Sequence, residues 1–238
     1  MANGCYATLP LEECKESLRW LEGYQRLCEA QQTLWEQAFD TRLVYLADRA
    51  ADLFEIYAEY QRQLSCQEPA ADRLIRARHD RNTETGEKLW STLAATPEPG
   101  RVEFDLPASK TRKGRKIVQS LQVARLTLSV PQGHAENRSV AVTALLAREI
   151  NPPDGETPIE WKLLTNLEVT NLDQAEPMLA RYLSRWQVEI FFSILESGCK
   201  IEALQLEKLE PLEPAILLYM LIAWRVLFFT LVGRKCPE

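Results

Sequence analysis

Four side chains stand at offsets of 3, 7 and 14 in one apolar segment: Tyr182, Arg185, Glu189 and Glu196 of Tyr182-Leu-Ser-Arg185-Trp-Gln-Val-Glu189-Ile-Phe-Phe-Ser-Ile-Leu-Glu196. On a continuous helix those offsets fall near one stripe. Leu183, Trp186, Ile190, Phe191 and Ile194 cover much of the remaining surface and predict a packed helix. A polar stripe there has two readings. It is a solvated face with an Arg185–Glu189 pair, worth a few tenths of a kcal/mol, or it is aimed at something. Asp48 has the same double character. It follows the apolar run Arg42-Leu-Val-Tyr-Leu-Ala47 and precedes a helical pattern. An acid there either caps the following helix or serves as a metal ligand at the carboxyl end of a parallel strand.

The elements that must hold these residues are legible as periodicities. Residues 11–39 carry Leu18, Leu21, Leu27 and Leu34 at roughly helical spacing. Strand 42–47, then Asp48, then a helix from Asp52 to Gln63 is the pattern of an α/β crossover. Between 72 and 148 the period changes to two, in Arg101–Leu106, Ile117–Val123, Arg125–Val130 and Val140–Leu146, which predicts antiparallel strands. A basic loop, Ser109-Lys-Thr-Arg-Lys-Gly-Arg-Lys116, lies between two of them and is either a phosphate contact or an exposed solubilising hairpin. Asn151-Pro-Pro-Asp-Gly-Glu-Thr-Pro158 is a turn-rich link, and Trp161–Thr165 a short strand. Helix returns from about Gln174 to Glu196, ending near Gly198, and again over about 213–232. The expected class is mixed α/β, in three segments: 1–71, 72–150 and 151–238.

Bulk properties narrow the chemistry. The 238 residues are 46% hydrophobic and 26% charged, enough for a real core. A net charge of −6 argues against a surface that grips DNA everywhere, while leaving room for a local basic groove. The cysteines, Cys5, Cys14, Cys28, Cys66, Cys199 and Cys236, form no C-x-x-C pair, and His79 and His134 are the only histidines. A zinc site of familiar spacing is therefore not expected. MANGCYATLP has neither a basic nor an apolar region of a secretory signal, so free thiols in a cytoplasmic setting are expected. Ala215–Val232 is long and apolar but contains Arg225. A central arginine costs at least ~2.5 kcal/mol in a bilayer, so a buried core helix and no membrane contact are expected.

The ordered set of these features resembles the DDE transposases of bacterial insertion sequences, which have an RNase H-like core. The set is Asp48-Arg-Ala-Ala-Asp52 at a strand end, a β-rich stretch of some eighty residues, and Y-x2-R-x3-E on a long helix. More narrowly, the chain is similar to the branch with a Tyr-Arg-Glu-Lys signature and an antiparallel insertion before the Glu. Lys15–Trp20, Glu149–Trp161 and Ser197–Leu206 belong to the same resemblance, which extends over essentially the whole chain.

The resemblance implies that Asp48 is the second acidic ligand and Glu189 the third, holding two Mg²⁺ or Mn²⁺ ions for phosphoryl transfer at transposon ends. Water, and then a freed 3′-OH, are the nucleophiles of that family. Tyr182 and Arg185 are implied to contact phosphates beside the scissile bond. Trp161 is implied to hold a flipped base, the alternative being a core tryptophan, and Arg76 is implied to lie near donor DNA.

Three departures follow the match. The family's first Asp lies on an earlier strand, whereas the only Asp before Asp48 is Asp40, in a turn-like Phe-Asp-Thr. The family's N-terminal DNA-end-binding region has no counterpart in these residues. Glu196 stands where the signature has Lys, a swing of two charges, and Lys200 follows Gly198, where the helix is expected to have ended. The expectation is a truncated transposase, catalytically incomplete alone. Its alternative is a non-catalytic DNA-binding or oligomerising remnant that inhibits full-length transposase. A third reading is a protein with no nucleic-acid role.

Overall fold

The computed structural model describes residues 11–98, 100–106, 114–133, 138–203 and 209–235. The first ten residues, loop positions 109–113, His134, Leu204–Leu206 and Cys236 lie outside them.

Six strands form one mixed sheet. They are β1 (Val44–Ala47), β2 (Asp72–Arg76), β3 (Gly100–Leu106), β4 (Arg115–Leu128), β5 (Val140–Glu149) and β6 (Glu160–Thr165), in spatial order β1-β2-β6-β5-β4-β3. β1 and β2 are parallel, with Val44 opposite Asp72 and Ala47 opposite Ile75, and every other pairing is antiparallel. A parallel pair needs a crossover, and α2 (Phe54–Ser65) supplies it. The 72–150 segment is thus not antiparallel throughout. Its first strand joins β1 in parallel, α3 (Leu89–Ala94) interrupts it, and the two strands expected at 117–123 and 125–130 are one continuous β4. The β1, β2 and β6 strands and the later β3–β5 share this single sheet.

α1 (Leu11–Glu36) and α2 pack on one face of the sheet. Tyr24, Cys28, Phe54, Ile56 and Tyr57 join Ile75, Val142, Ala144, Leu146 and Leu164 in the principal core. On β5 the even positions enter that core, while Thr143, Leu145 and Ala147 on the opposite face are also buried. Burial on both faces explains why Val140–Ala147 reads almost continuously apolar. Polar residues pin the edge. Gln31 donates to the Thr41 carbonyl at 3.0 Å and accepts from the Leu43 N–H at 2.7 Å, holding α1 to β1. Asn166 accepts from Arg73 N–H at 2.7 Å and donates to Asp72 at 2.8 Å. Asp72 also pairs with Arg42 at 3.0 Å.

The contact pattern divides the chain into two compact units, Met1–Leu179 and Ala180–Glu238. The single helix expected over 174–196 is broken. α4 (Leu172–Ser184) ends and α5 (Trp186–Ser193) begins at Arg185, followed by a wide π-type turn over Ile194–Gly198. At the break Arg185 N–H donates to the Tyr182 carbonyl and Val188 N–H to the Arg185 carbonyl, both three residues back. These bonds tighten the helix locally, and the π turn then widens it.

α5 has no buried residue, and Val188 and Phe192 are exposed, contrary to the packed helix expected there. α6 (Leu209–Lys235) corrects a second expectation. Among its described residues Ala223 and Leu227 are buried, and ten large apolar side chains are exposed. Pro211–Gly233 is long and apolar enough to cross a membrane by length and composition.

Candidate functional site

Asp48 sits at the carboxyl end of β1, where the chain turns into the 3-10 turn Arg49–Ala51. Its Oδ1 accepts from the Arg49 N–H at 2.8 Å, so it caps that turn. The carboxylate is partly exposed and lies 4.0 Å from the Arg76 guanidinium at the end of β2. The parallel β1–β2 pairing brings the two together, because both strands run the same way and end at the same edge. Asp48 and Arg76 are therefore neighbours in space as well as candidates in sequence.

Four residues further on, a denser cluster forms around Asp52. Its side chain is fully buried and accepts from the Tyr57 hydroxyl at 2.7 Å, Arg78 N–H at 2.6 Å and His79 N–H at 2.9 Å. Arg81 closes the set with an ion pair at 3.0 Å and a further bond to the Asp52 carbonyl at 2.7 Å. A buried carboxylate with this many donors is fixed in place. Burial, reinforced by the Asp52 charge, pushes the Tyr57 phenol well above its ordinary range, so it stays a donor. Burial and the Arg81 charge push His79 down, so its imidazole is held neutral. The cluster anchors the loop after β2 to the start of α2. Sequence reasoning gave Asp52 no role of its own. The run of basic residues from Arg73 to Arg81 was the available signal, but nothing in it says which arginine turns inward.

Arg73 turns inward completely. Its guanidinium is fully buried and lies 5.1 Å from the Tyr57 ring centroid and 4.6 Å from that of Tyr60. Cation–π contacts take over part of what water supplied, yet burial still lowers its affinity for the proton.

Trp161 lies on β6 opposite Ala147 and is only 3% exposed. Its ring is 5.0 Å from that of Phe104, tilted by 32°. In this conformation it is a core aromatic. A flipped base could stack on it only if that face were uncovered. The residues of the basic loop that lie within the described set are matched by acids. Arg115 bonds Glu149 and, at 2.9 Å, Glu156, while Lys116 pairs with Glu103.

In the second unit, Tyr182, Arg185 and Glu189 form a local set. Tyr182 is buried, with the Arg185 guanidinium 5.7 Å from its ring centroid. Arg185 pairs with Glu189 at 2.8 Å, and the Glu189 side chain is 62% exposed. The stripe thus runs from buried phenol to open carboxylate. Glu196, in the π turn, is exposed.

A two-metal centre needs several oxygen donors converging on one point. Among the described residues no group of three or more His, Cys, Asp or Glu side chains is so arranged. Asp48 belongs to the first unit and Glu189 to the second, and each faces an arginine of its own unit. Two carboxylates by themselves are fewer oxygen donors than a two-metal centre needs. No family model matches the sequence.

Proposed function

We propose that this chain is a fragment of a cut-and-paste DNA transposase of the DDE kind, and that it does not cleave DNA on its own. One ordered set carries the reading: Asp48 ends a strand paired in parallel, an antiparallel stretch follows, and Tyr182, Arg185 and Glu189 then meet across the α4–α5 break, Arg185 over the Tyr182 ring and paired with Glu189. Arginine beside a carboxylate suits a phosphodiester that must approach an anionic site, because the guanidinium offset repels neither partner. Incompleteness rests on the donor set. Asp48 and Glu189 are the two carboxylates that fit the motif, and Glu196 stands where a phosphate-facing cation belongs. In the intact family Mg²⁺ or Mn²⁺ supplies the Lewis acidity, and two of the needed ligands would be Asp48 and Glu189.

The test incubates the purified chain with Mg²⁺ or Mn²⁺ and DNA carrying the terminal repeats that flank its gene. No strand nicking is expected, together with DNA retention that weakens steeply as salt rises. Metal-dependent nicking at the repeat boundary, abolished in D48N and E189Q, would overturn the claim of incompleteness. Indifference to DNA at every salt concentration would overturn the transposase reading itself.

The alternative, a non-catalytic remnant that joins and inhibits full-length subunits, is favoured by the open apolar surface of α5 and α6. Co-expression with a full-length relative separates the two. Lowered transposition supports inhibition, and unchanged transposition removes it.

A further inference from the structure

Where β2 ends, its backbone passes from the sheet to a single side chain. Ala77 N–H still donates across the sheet, to the Lys162 carbonyl at 2.7 Å. The next two N–H groups, of Arg78 and His79, donate instead to Asp52 Oδ2 at 2.6 and 2.9 Å. Arg81 grips the same residue twice, with Nη1 on Oδ2 at 3.1 Å and Nη2 on the Asp52 carbonyl at 2.7 Å. Asp52 is itself fixed by the Tyr57 hydroxyl and is buried. On the far side of the loop, Asp80 Oδ1 accepts from Trp90 N–H at 3.2 Å and ties the chain to α3. One buried carboxylate thus sets the path of the chain as it leaves the sheet beside Asp48. Two guanidinium groups ride on that path. Arg76 lies 4.0 Å from Asp48. Ala77 is buried and Arg78 is exposed. That is the alternation of an extended chain, so Arg76 and Arg78 share the outward side.

We propose that Asp52 is a positioning residue: without meeting DNA, it holds Arg76 and Arg78 where both contact phosphates beside Asp48. The inference rests on the transposase reading and adds Arg78 and Asp52 to the residues on which the DNA contact depends. A guanidinium meets a phosphate as a planar fork, so the contact is sensitive to where its backbone stands. In Asp52→Asn an NH2 group replaces one of the two oxygens that the loop N–H groups, Tyr57 and Arg81 share. The loop then loses its fixed point, and both arginines move with it. The sign of the effect is diagnostic. Removing a negative charge by itself favours an anionic partner, so a fall in DNA affinity identifies lost positioning.

The test measures binding of the full chain to duplex DNA carrying the terminal repeats over a range of salt concentrations. Each phosphate contact contributes about 0.9 to the slope of log affinity against log salt, so the double variant Arg76→Gln/Arg78→Gln should lower the slope by about 1.8. Asp52→Asn, at a temperature where circular dichroism shows it folded, should lower the slope by about the same amount and weaken low-salt binding roughly tenfold or more. Added to the double variant, Asp52→Asn should change affinity by less than about twofold, because the contacts it positions are already gone. An equal loss in both backgrounds marks a role in stability alone and overturns the proposal. A folded Asp52→Asn chain with the wild-type slope overturns it as well. If Asp52→Asn does not fold, Arg81→Lys takes its place, since it keeps a cation beside Asp52 but lacks the fork that spans side chain and carbonyl. The same two comparisons then decide. Wild-type indifference to DNA at every salt concentration is a different failure and removes the transposase reading itself, the positioning role with it. Wild-type binding with a slope independent of Asp52 and Arg81 removes the positioning role alone.

Discussion

Asp52 is more deeply built into the first unit than Asp48. Asp48 caps one short turn at the surface, and losing such a cap costs about 1 kcal/mol. Asp52 is buried and satisfies two backbone N–H groups, a phenol and Arg81. Removing one partner of a buried ion pair costs about 3–5 kcal/mol, because the other charge stays buried. Asp52→Asn should therefore lower the urea midpoint of the first unit far more than Asp48→Asn does. Equal shifts in the two variants would show that the Arg81 charge is solvated. The contrast also bears on function. Asp48 keeps a partly open carboxylate that a phosphate-bound ligand could reach, and Asp52 does not. Two acids four residues apart look alike in sequence, and burial alone gives them different work.

At the scale of elements, β5 is the central support. It is flanked by β4 and β6 and buried on both faces. Leu146→Ala should cost about 2–5 kcal/mol, the transfer loss plus the cavity it leaves. Ile190→Ala on α5, already 36% exposed, should cost less than about 1 kcal/mol. Chemical denaturation of the two variants checks the order. Strand positions were readable because a side chain alternates faces at every residue, and burial alternates from Lys116 to Gln122 of β4. The joining of Ile117–Val123 to Arg125–Val130 was not, since Ala124 interrupts the apolar pattern without interrupting the ladder to β5. The break in the expected 174–196 helix was not readable either: periodicity assumes 3.6 residues per turn, and the bonds at Arg185 and in the π turn change that number locally.

For the molecule as a whole, acid stability should fall in two stages. His79 is held neutral by burial and by Arg81, below its ordinary value of 6.5. The unfolded chain takes up that proton first, so stability is intact above 6.5 and declines as pH drops below it. Glu59 is held below its ordinary 4.5 chiefly by its bond to Arg62, against the opposing effect of burial. For Glu160 burial pushes upward, but Lys162 and Arg148 outweigh it and the net shift is downward. Their contribution is present above 4.5 and is lost as pH falls through their lowered values. Urea midpoints measured from pH 8 to 3 should show both stages, and His79→Gln should flatten the first alone. An unchanged first stage in that variant would assign it to another group.

The sequence by itself determined the mixed α/β class, the strand–Asp48–helix order, the antiparallel stretch and the Arg185–Glu189 pairing. Each follows from short-range periodicity or from residues within one helical turn. Only the tertiary structure decided which charges turn inward, as Arg73 and Asp52 do, and that Trp161 packs on Phe104. It alone revealed that α6, apolar enough for a core, is left largely uncovered. Those outcomes depend on what lies opposite a residue across the sheet or the core. Its partners there are up to 94 positions away, as Asn166 is from Asp72, and no local pattern encodes them.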